Sequence, residues 1–202
     1  MIASTTSIGS LPEELFLEIV KGVIGCDQSS PVSADDAKQY GLKRVRALLA
    51  VTHVCRVWRR VSLDHPLLWA HITVTGNRLL LEAFLLRAGD CTVSVQWFKA
   101  PLAPGPYTTI FDLVRDHGSR IRRLELYCPP NVSNRSPQLL PFPTPLLRCL
   151  RYQCASSPAC AWEPQSIGDG NVATVEALFI ERVSYRLPSN SFPNLKIGRA
   201  HV

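Results

Sequence analysis

Five short runs of alternating apolar and polar residues recur along the later part of this 202-residue chain. They are HITVT (71–75), CTVSVQW (91–97), RRLELYC (122–128), LRCLRYQC (147–154) and EALFIERV (176–183). A period of two places alternate side chains on opposite faces of a strand. Aligned on Ile72, Val93, Leu124, Leu150 and Leu178, the runs stand 21, 31, 26 and 28 residues apart. Helical patterns ending at glycine fill the first two gaps, RLLLEAFLLRAG (78–89) and TTIFDLVRDHG (108–118). Strand–helix units at this period predict a single row of parallel strands. The aligned apolar residues then point inward. Their neighbours Thr73, Ser94, Glu125, Arg151 and Phe179 point to the opposite face, where a target would dock. The later gaps, around 129–145 and 156–170, are rich in proline and read as loops.

The N-terminal third has the other period. In GSLPEELFLEIVKGVIG (9–25), Ser10 and Glu13 form a capping box, and Pro12 suits a first helical turn. Leu11, Leu15, Ile19 and Val23 make one apolar stripe with Phe16 and Val20 beside it, and Gly25 ends the helix. Residues 26–41 are polar, carry Pro31 and Gly41, and read as a loop with a turn of helix after Ser33. A second helix is expected from Leu42 to Leu63. Its apolar positions, among them Val45, Leu48, Leu49, Val51, Val54, Cys55, Trp58 and Val61, cover more than half the circumference. Such a helix must bury two faces, one inward and one against a partner or a larger core. Asp64 is placed to cap a short third helix with Pro66 in its first turn.

Several functions fit poorly. His53 and Cys55 are two residues apart, so on a helix they diverge by about 200° and form no base–nucleophile pair. No Gly-rich phosphate loop, HExxH or GxSxG motif occurs, so catalysis, cofactor and metal are not expected. The seven cysteines contain no CxxC pair and read as small buried hydrophobes in a reducing, intracellular setting. The longest apolar stretch, RLLLEAFLLR, is too short to span a bilayer, and no signal peptide opens the chain. A nucleic-acid-binding helix is the principal rival, since Lys43, Arg44, Arg46, Arg56, Arg59 and Arg60 decorate the second helix. A groove-reading helix needs a polar reading face, however, and Trp58 and its neighbours supply apolar bulk instead. The net charge of +6 more simply favours an acidic protein partner.

LPEELFLEIV (11–20), followed by LLAVTHVCRVWRRVSLDHPLLWAHI (48–72), resembles an F-box. The family pattern is a Leu-Pro start, a Leu/Ile helix, Val-Cys-Arg-x-Trp and a final Pro-x-Leu-Trp. Leu11-Pro12, Leu15, Ile19, Val54-Cys55-Arg56, Trp58, Pro66 and Leu68-Trp69 match it. The strand region is similar in style to fungal F-box proteins with irregular leucine-rich repeats, although it lacks their asparagine ladder. The resemblance implies helices followed by α/β: a three-helix F-box-like bundle at 10–72 with a loop insertion at 26–41. The start of an irregular leucine-rich-repeat-like solenoid follows at 73–195. It implies a non-catalytic adaptor of a ubiquitin ligase, whose F-box binds a Skp-type adaptor and through it a cullin. The repeats would hold an unidentified target, inside or outside a ligase. Leu11, Pro12, Leu15, Ile19, Leu49, Val54, Cys55 and Trp58 would meet the adaptor. Neither nucleic acid nor membrane is expected as a partner.

The ending, KIGRAHV (196–202), interrupts the repeat pattern. It is also the translation of a common sequencing-library adapter, AAG ATC GGA AGA GCA CAC GTC followed by a stop codon. Residues 1–195 are therefore expected to be the front of a longer repeat protein and 196–202 a read-through tail. A genomic locus that itself encodes these seven residues before its stop would overturn that expectation.

Overall fold

The computed structural model describes residues 12–25, 34–98, 108–128, 142–154, 173–181 and 192–201. Helices come first and a parallel sheet follows. Helix α1 (Glu13–Val23) starts directly after Pro12, whose carbonyl accepts from the Phe16 amide at 3.1 Å. The start thus falls beyond Ser10; that residue and Leu11 lie outside the described residues. Glu13 and Glu14 occupy the first turn, where the helix dipole favours negative charge. Gly25 closes the other end with φ at 63°, a left-handed conformation that glycine adopts without penalty. The helix has two apolar sides: Phe16, Val20 and Ile24 are buried, whereas Leu15, Ile19 and Val23 are exposed.

The single helix expected from Leu42 to Leu63 is two helices. Helix α2 spans Ala34–Val51 and α3 spans Arg56–Asp64. Residues 34–41, the second half of the expected loop, form the first turns of α2, which extends the turn of helix expected after Ser33; residues 26–33 lie outside the described residues. Asp35 and Asp36 sit at its positive end, while Ala37 and Gly41 turn inward. The break follows Val51 because Thr52 donates its hydroxyl to the Leu49 carbonyl at 2.7 Å. Such a side-chain bond competes with the helical ladder. His53 and Val54 then close tight three-residue turns, and Cys55, extended at φ −157°, opens α3. Asp64 ends α3 and caps nothing; His65 precedes α4 (Pro66–Trp69) without a side-chain cap. Trp69 ties these pieces together. Its indole donates to the Ser62 carbonyl at 2.7 Å and meets Phe84 edge-on at 5.0 Å.

The sheet has six parallel strands in chain order. They are β1 (His71–Val74), β2 (Val93–Phe98), β3 (Ile121–Cys128), β4 (Cys149–Cys154), β5 (Ala177–Glu181) and β6 (Ile197–His201). Helix α5 (Arg78–Arg87) joins β1 to β2, and Asn77 caps it by accepting from the Leu80 amide. Helix α6 (Thr108–Asp116) and a 3-10 turn at Gly118–Arg120 precede β3. The inward row is Ile72, Val95, Leu124, Leu150 and Leu178, with Val95 in the place expected for Val93. Val93 instead pairs with Ile121, beside an irregularity between Val93 and Ser94. Spacings along the row become 23, 29, 26 and 28 residues, more even than the sequence alignment gave. The ending residues Ile197–His201 pair with β5 as β6, a contact that rests on backbone groups.

Successive units are stapled to one another outside the strands. The amides of Arg148, Glu176 and Lys196 donate to the carbonyls of Arg122, Arg148 and Glu176, each at 2.8 Å. The Thr174 hydroxyl and the Asn194 amide reach back to the carbonyls of Leu147 and Ala173. One apolar core runs from Phe16 and Val20 through Leu48 and Trp69 to Leu150 and Ile180, so the helices and the sheet share it.

Gly41 lets α2 approach β1 and β2. A methyl group there would come within 2.6 Å of the Thr73 hydroxyl and 2.9 Å of its methyl. Thr73 is buried and β-branched, and cannot swing aside. Gly41→Ala gains about 1 kcal/mol of helix propensity, but overpacking costs about 1–3 kcal/mol. Urea denaturation is expected to show a net loss of stability despite the better helix former.

Candidate protein-docking surfaces

Leu15, Ile19 and Val23 recur at every fourth residue of α1, which sets them side by side on its outer face. Leu15 is 54% exposed and Ile19 42%. Pro12 is exposed at the head of this stripe. The opposite side of α1 meets α3, where the Phe16 and Trp58 rings pack edge to face at 5.1 Å. That contact brings the start of α3 to α1, and with it the exposed side chains of Val54 (56%) and Val57 (37%). Val57 is one of the apolar positions of the expected second helix, although it is not among the residues expected to meet the adaptor.

The other expected contact residues are placed less openly. Leu49 and Trp58 are half-buried and pack on the core, and Cys55 is half-buried at the head of α3. Of the eight residues, then, Pro12, Leu15, Ile19 and Val54 are exposed, Leu49, Cys55 and Trp58 are half-buried, and Leu11 lies outside the described residues. Trp58 Nε1 is buried with no acceptor among the described residues. Arg56, Arg59 and Arg60 stand exposed along α3 and border the apolar side chains with positive charge.

The second surface is the sheet face opposite the inward row, and it differs from expectation. The register row is Thr73, Gln96, Glu125, Arg151 and Phe179, with Gln96 in place of Ser94. Thr73, Glu125 and Arg151 are buried. Glu125, 1% exposed, accepts from Arg123 Nε at 2.6 Å, Gln96 Nε2 at 3.0 Å and the Tyr127 hydroxyl at 2.9 Å. The Arg151 guanidinium lies 5.0 Å from the Phe179 ring centre, so Phe179 is half-covered and not the open aromatic expected. Burial of the Glu125 carboxylate is tolerated because three donors satisfy it. Burial, then the Glu125 carboxylate, pushes the Tyr127 hydroxyl far up, so it stays a donor at any working pH. Burial opposes the charge of Arg123, yet Glu125 outweighs it and holds the guanidinium protonated.

Nearer the strand starts the same face is more open, with the row His71, Ser94, Arg123 and Cys149. His71 keeps part of its surface in solvent. Crowding of its ring by neighbours, then the charges of Arg44 and Arg123, still push it down to about 4, with Glu125 opposing. Solvent screening reduces the energy involved but not its sign. The unfolded chain takes up this proton near 6.5 and the folded chain only near 4. Stability is therefore full above 6.5 and falls as pH drops from 6.5 towards 4. His71→Asn should flatten that part of a pH–stability curve followed by thermal melting.

No helix among the described residues is long and apolar enough to cross a membrane. No group of three or more His, Cys, Asp or Glu side chains among them is placed to hold a metal ion. Compared with known protein families, curated proteins and solved structures, the chain matches none.

Proposed function

We propose that this chain is a substrate-recognition adaptor of a Skp–cullin–F-box ubiquitin ligase. Its helices would dock on a Skp-type adaptor, and its sheet, as the start of an irregular leucine-rich-repeat solenoid, would hold a target protein. The observation that carries the reading is the outward stripe Leu15–Ile19–Val23 of α1. Exposed apolar side chains in a row mark protein–protein contacts, and Pro12 and Val54, which belong to the F-box-like motifs, are exposed as well. The bordering arginines suit an acidic partner, speeding encounter and fixing orientation. Six strands joined in chain order, with staples between successive units, support the solenoid reading.

A pull-down and calorimetric titration of the full chain against a purified Skp-type adaptor tests the proposal. Sub-micromolar binding, as for a standard-sized hydrophobic interface, is the expected result. No binding to the adaptor, together with salt-sensitive binding to duplex DNA, would transfer the function to the basic helices instead.

A further inference from the structure

We propose that the row His71–Ser94–Arg123, flanked by Arg44 of α2, is a binding site for an anionic group, carboxylate or phosphate, carried by a protein segment. The inference deepens the target-holding half of the function proposed above and rests on it. His71 and Ser94 are register partners across β1 and β2, and Ser94 and Arg123 across β2 and β3. Neighbouring strands lie about 4.8 Å apart, so the three side chains span roughly 10 Å on one face. His71 is exposed, Ser94 and Arg44 are half-buried, and the Arg123 side chain is 42% exposed. The row thus offers an imidazole, a hydroxyl and a guanidinium side by side at the surface.

The charge around it is one-sided. Arg44 and Arg123 both act on His71 as positive neighbours, and Glu125 is the opposing charge. Glu125 is already held by three donors and is shut away from solvent. An arriving anion would meet a hydroxyl and two guanidinium groups, each of which holds a partner with some of its N–H groups and has others to offer. It would also let His71 take up the proton that these cations now repel, adding a third positive donor. A span of about 10 Å accommodates one or two anionic groups. Nucleic-acid binding of useful strength neutralises several phosphates along a tract. A short acidic or phosphorylated protein segment is the better fit in size and charge.

The test follows the five histidines of the chain by NMR while inorganic phosphate is added. The His71 titration midpoint is expected to climb towards the ordinary histidine value. Sodium chloride at equal ionic strength should not reproduce the climb. Arg44→Gln and Arg123→Gln should each weaken phosphate binding about tenfold, the loss of one charge-assisted contact. Glutamine at 123 keeps an N–H for Glu125; if that variant still unfolds, Arg44→Gln decides alone. A His71 midpoint that phosphate moves no more than chloride does overturns the proposal. Two peptides then separate the sources, one bearing phosphoserine and one bearing glutamates at the same positions. Tighter binding of the first assigns a phosphate, and of the second a carboxylate. Single-stranded RNA of equal charge binding more tightly than either would overturn the protein-segment assignment. Loss of Skp-adaptor binding leaves all these readouts in place, so failure of the ligase reading and failure of this site are distinguishable.

Discussion

A Leu15→Asp, Ile19→Asp double variant is expected to lose adaptor binding while keeping its fold. Both side chains stand on the exposed face of α1, away from Phe16, Val20 and Ile24, which hold the helix to the core. Exposed positions of this kind usually change stability by less than about 0.5 kcal/mol. Central apolar anchors of an interface, by contrast, contribute about 2–4 kcal/mol each when they are hot spots. Two buried aspartates in an apolar groove would weaken affinity by at least a hundredfold on that scale, about 2.8 kcal/mol. Calorimetric titration reads the affinity, and the helical circular-dichroism signal with its melting curve reads the fold. Retained affinity in a folded variant would remove α1 from the interface. A matching Phe16→Ala variant should behave in the opposite way, unfolding at lower temperature because it leaves a cavity beneath Trp58.

Glu125→Ala should be among the most destabilising single changes in the sheet. The carboxylate is the common acceptor for Arg123, Gln96 and Tyr127, so its loss strands three donors at once. Removing one partner of a buried ion pair costs about 3–5 kcal/mol. Arg123 retains access to water, which moves the expected loss to the lower end of that range. For a chain of this size, about 3 kcal/mol corresponds to a fall of roughly 6–12 °C in melting temperature. Glu125→Gln keeps an acceptor oxygen and the volume but not the charge, and should fall between the two. If Glu125→Ala melted like the wild type, the network would not be a support of the sheet.

The strands were legible because alternation survives in each run, and because the gaps between Leu124, Leu150 and Leu178 leave little freedom of alignment. Val93 was harder. Val93 and Val95 are equally apolar and lie on the same face, so only the pairing partner tells them apart. The break between α2 and α3 had no glycine or proline to announce it, and Val51, Val54 and Cys55 keep apolar spacing across it. Its cause is one hydroxyl, that of Thr52, choosing the Leu49 carbonyl. The sheet face was misread for a different reason. Glutamate and arginine in a strand look solvated one at a time, and only their juxtaposition across β2, β3 and β4 makes burial affordable. Thr174 and Asn194 carried no signal of their own in the sequence, yet each bonds a carbonyl of the preceding unit. Of the residues expected to meet an adaptor, Pro12, Leu15, Ile19 and Val54 are exposed. Trp58 is not, because a large ring beside Phe16 is drawn inward by the same apolarity that makes it a good contact.

A sheet whose strands lie in strict chain order has a mechanical consequence. Strands β2 to β5 each bond along their length to the strand before and the strand after, and the β1 end is anchored in the shared helical core. A load applied along the sheet from its far side meets the hydrogen bonds between neighbouring strands before it reaches the helices. Such a sheet would yield by peeling strand after strand, while the helical end keeps its shape.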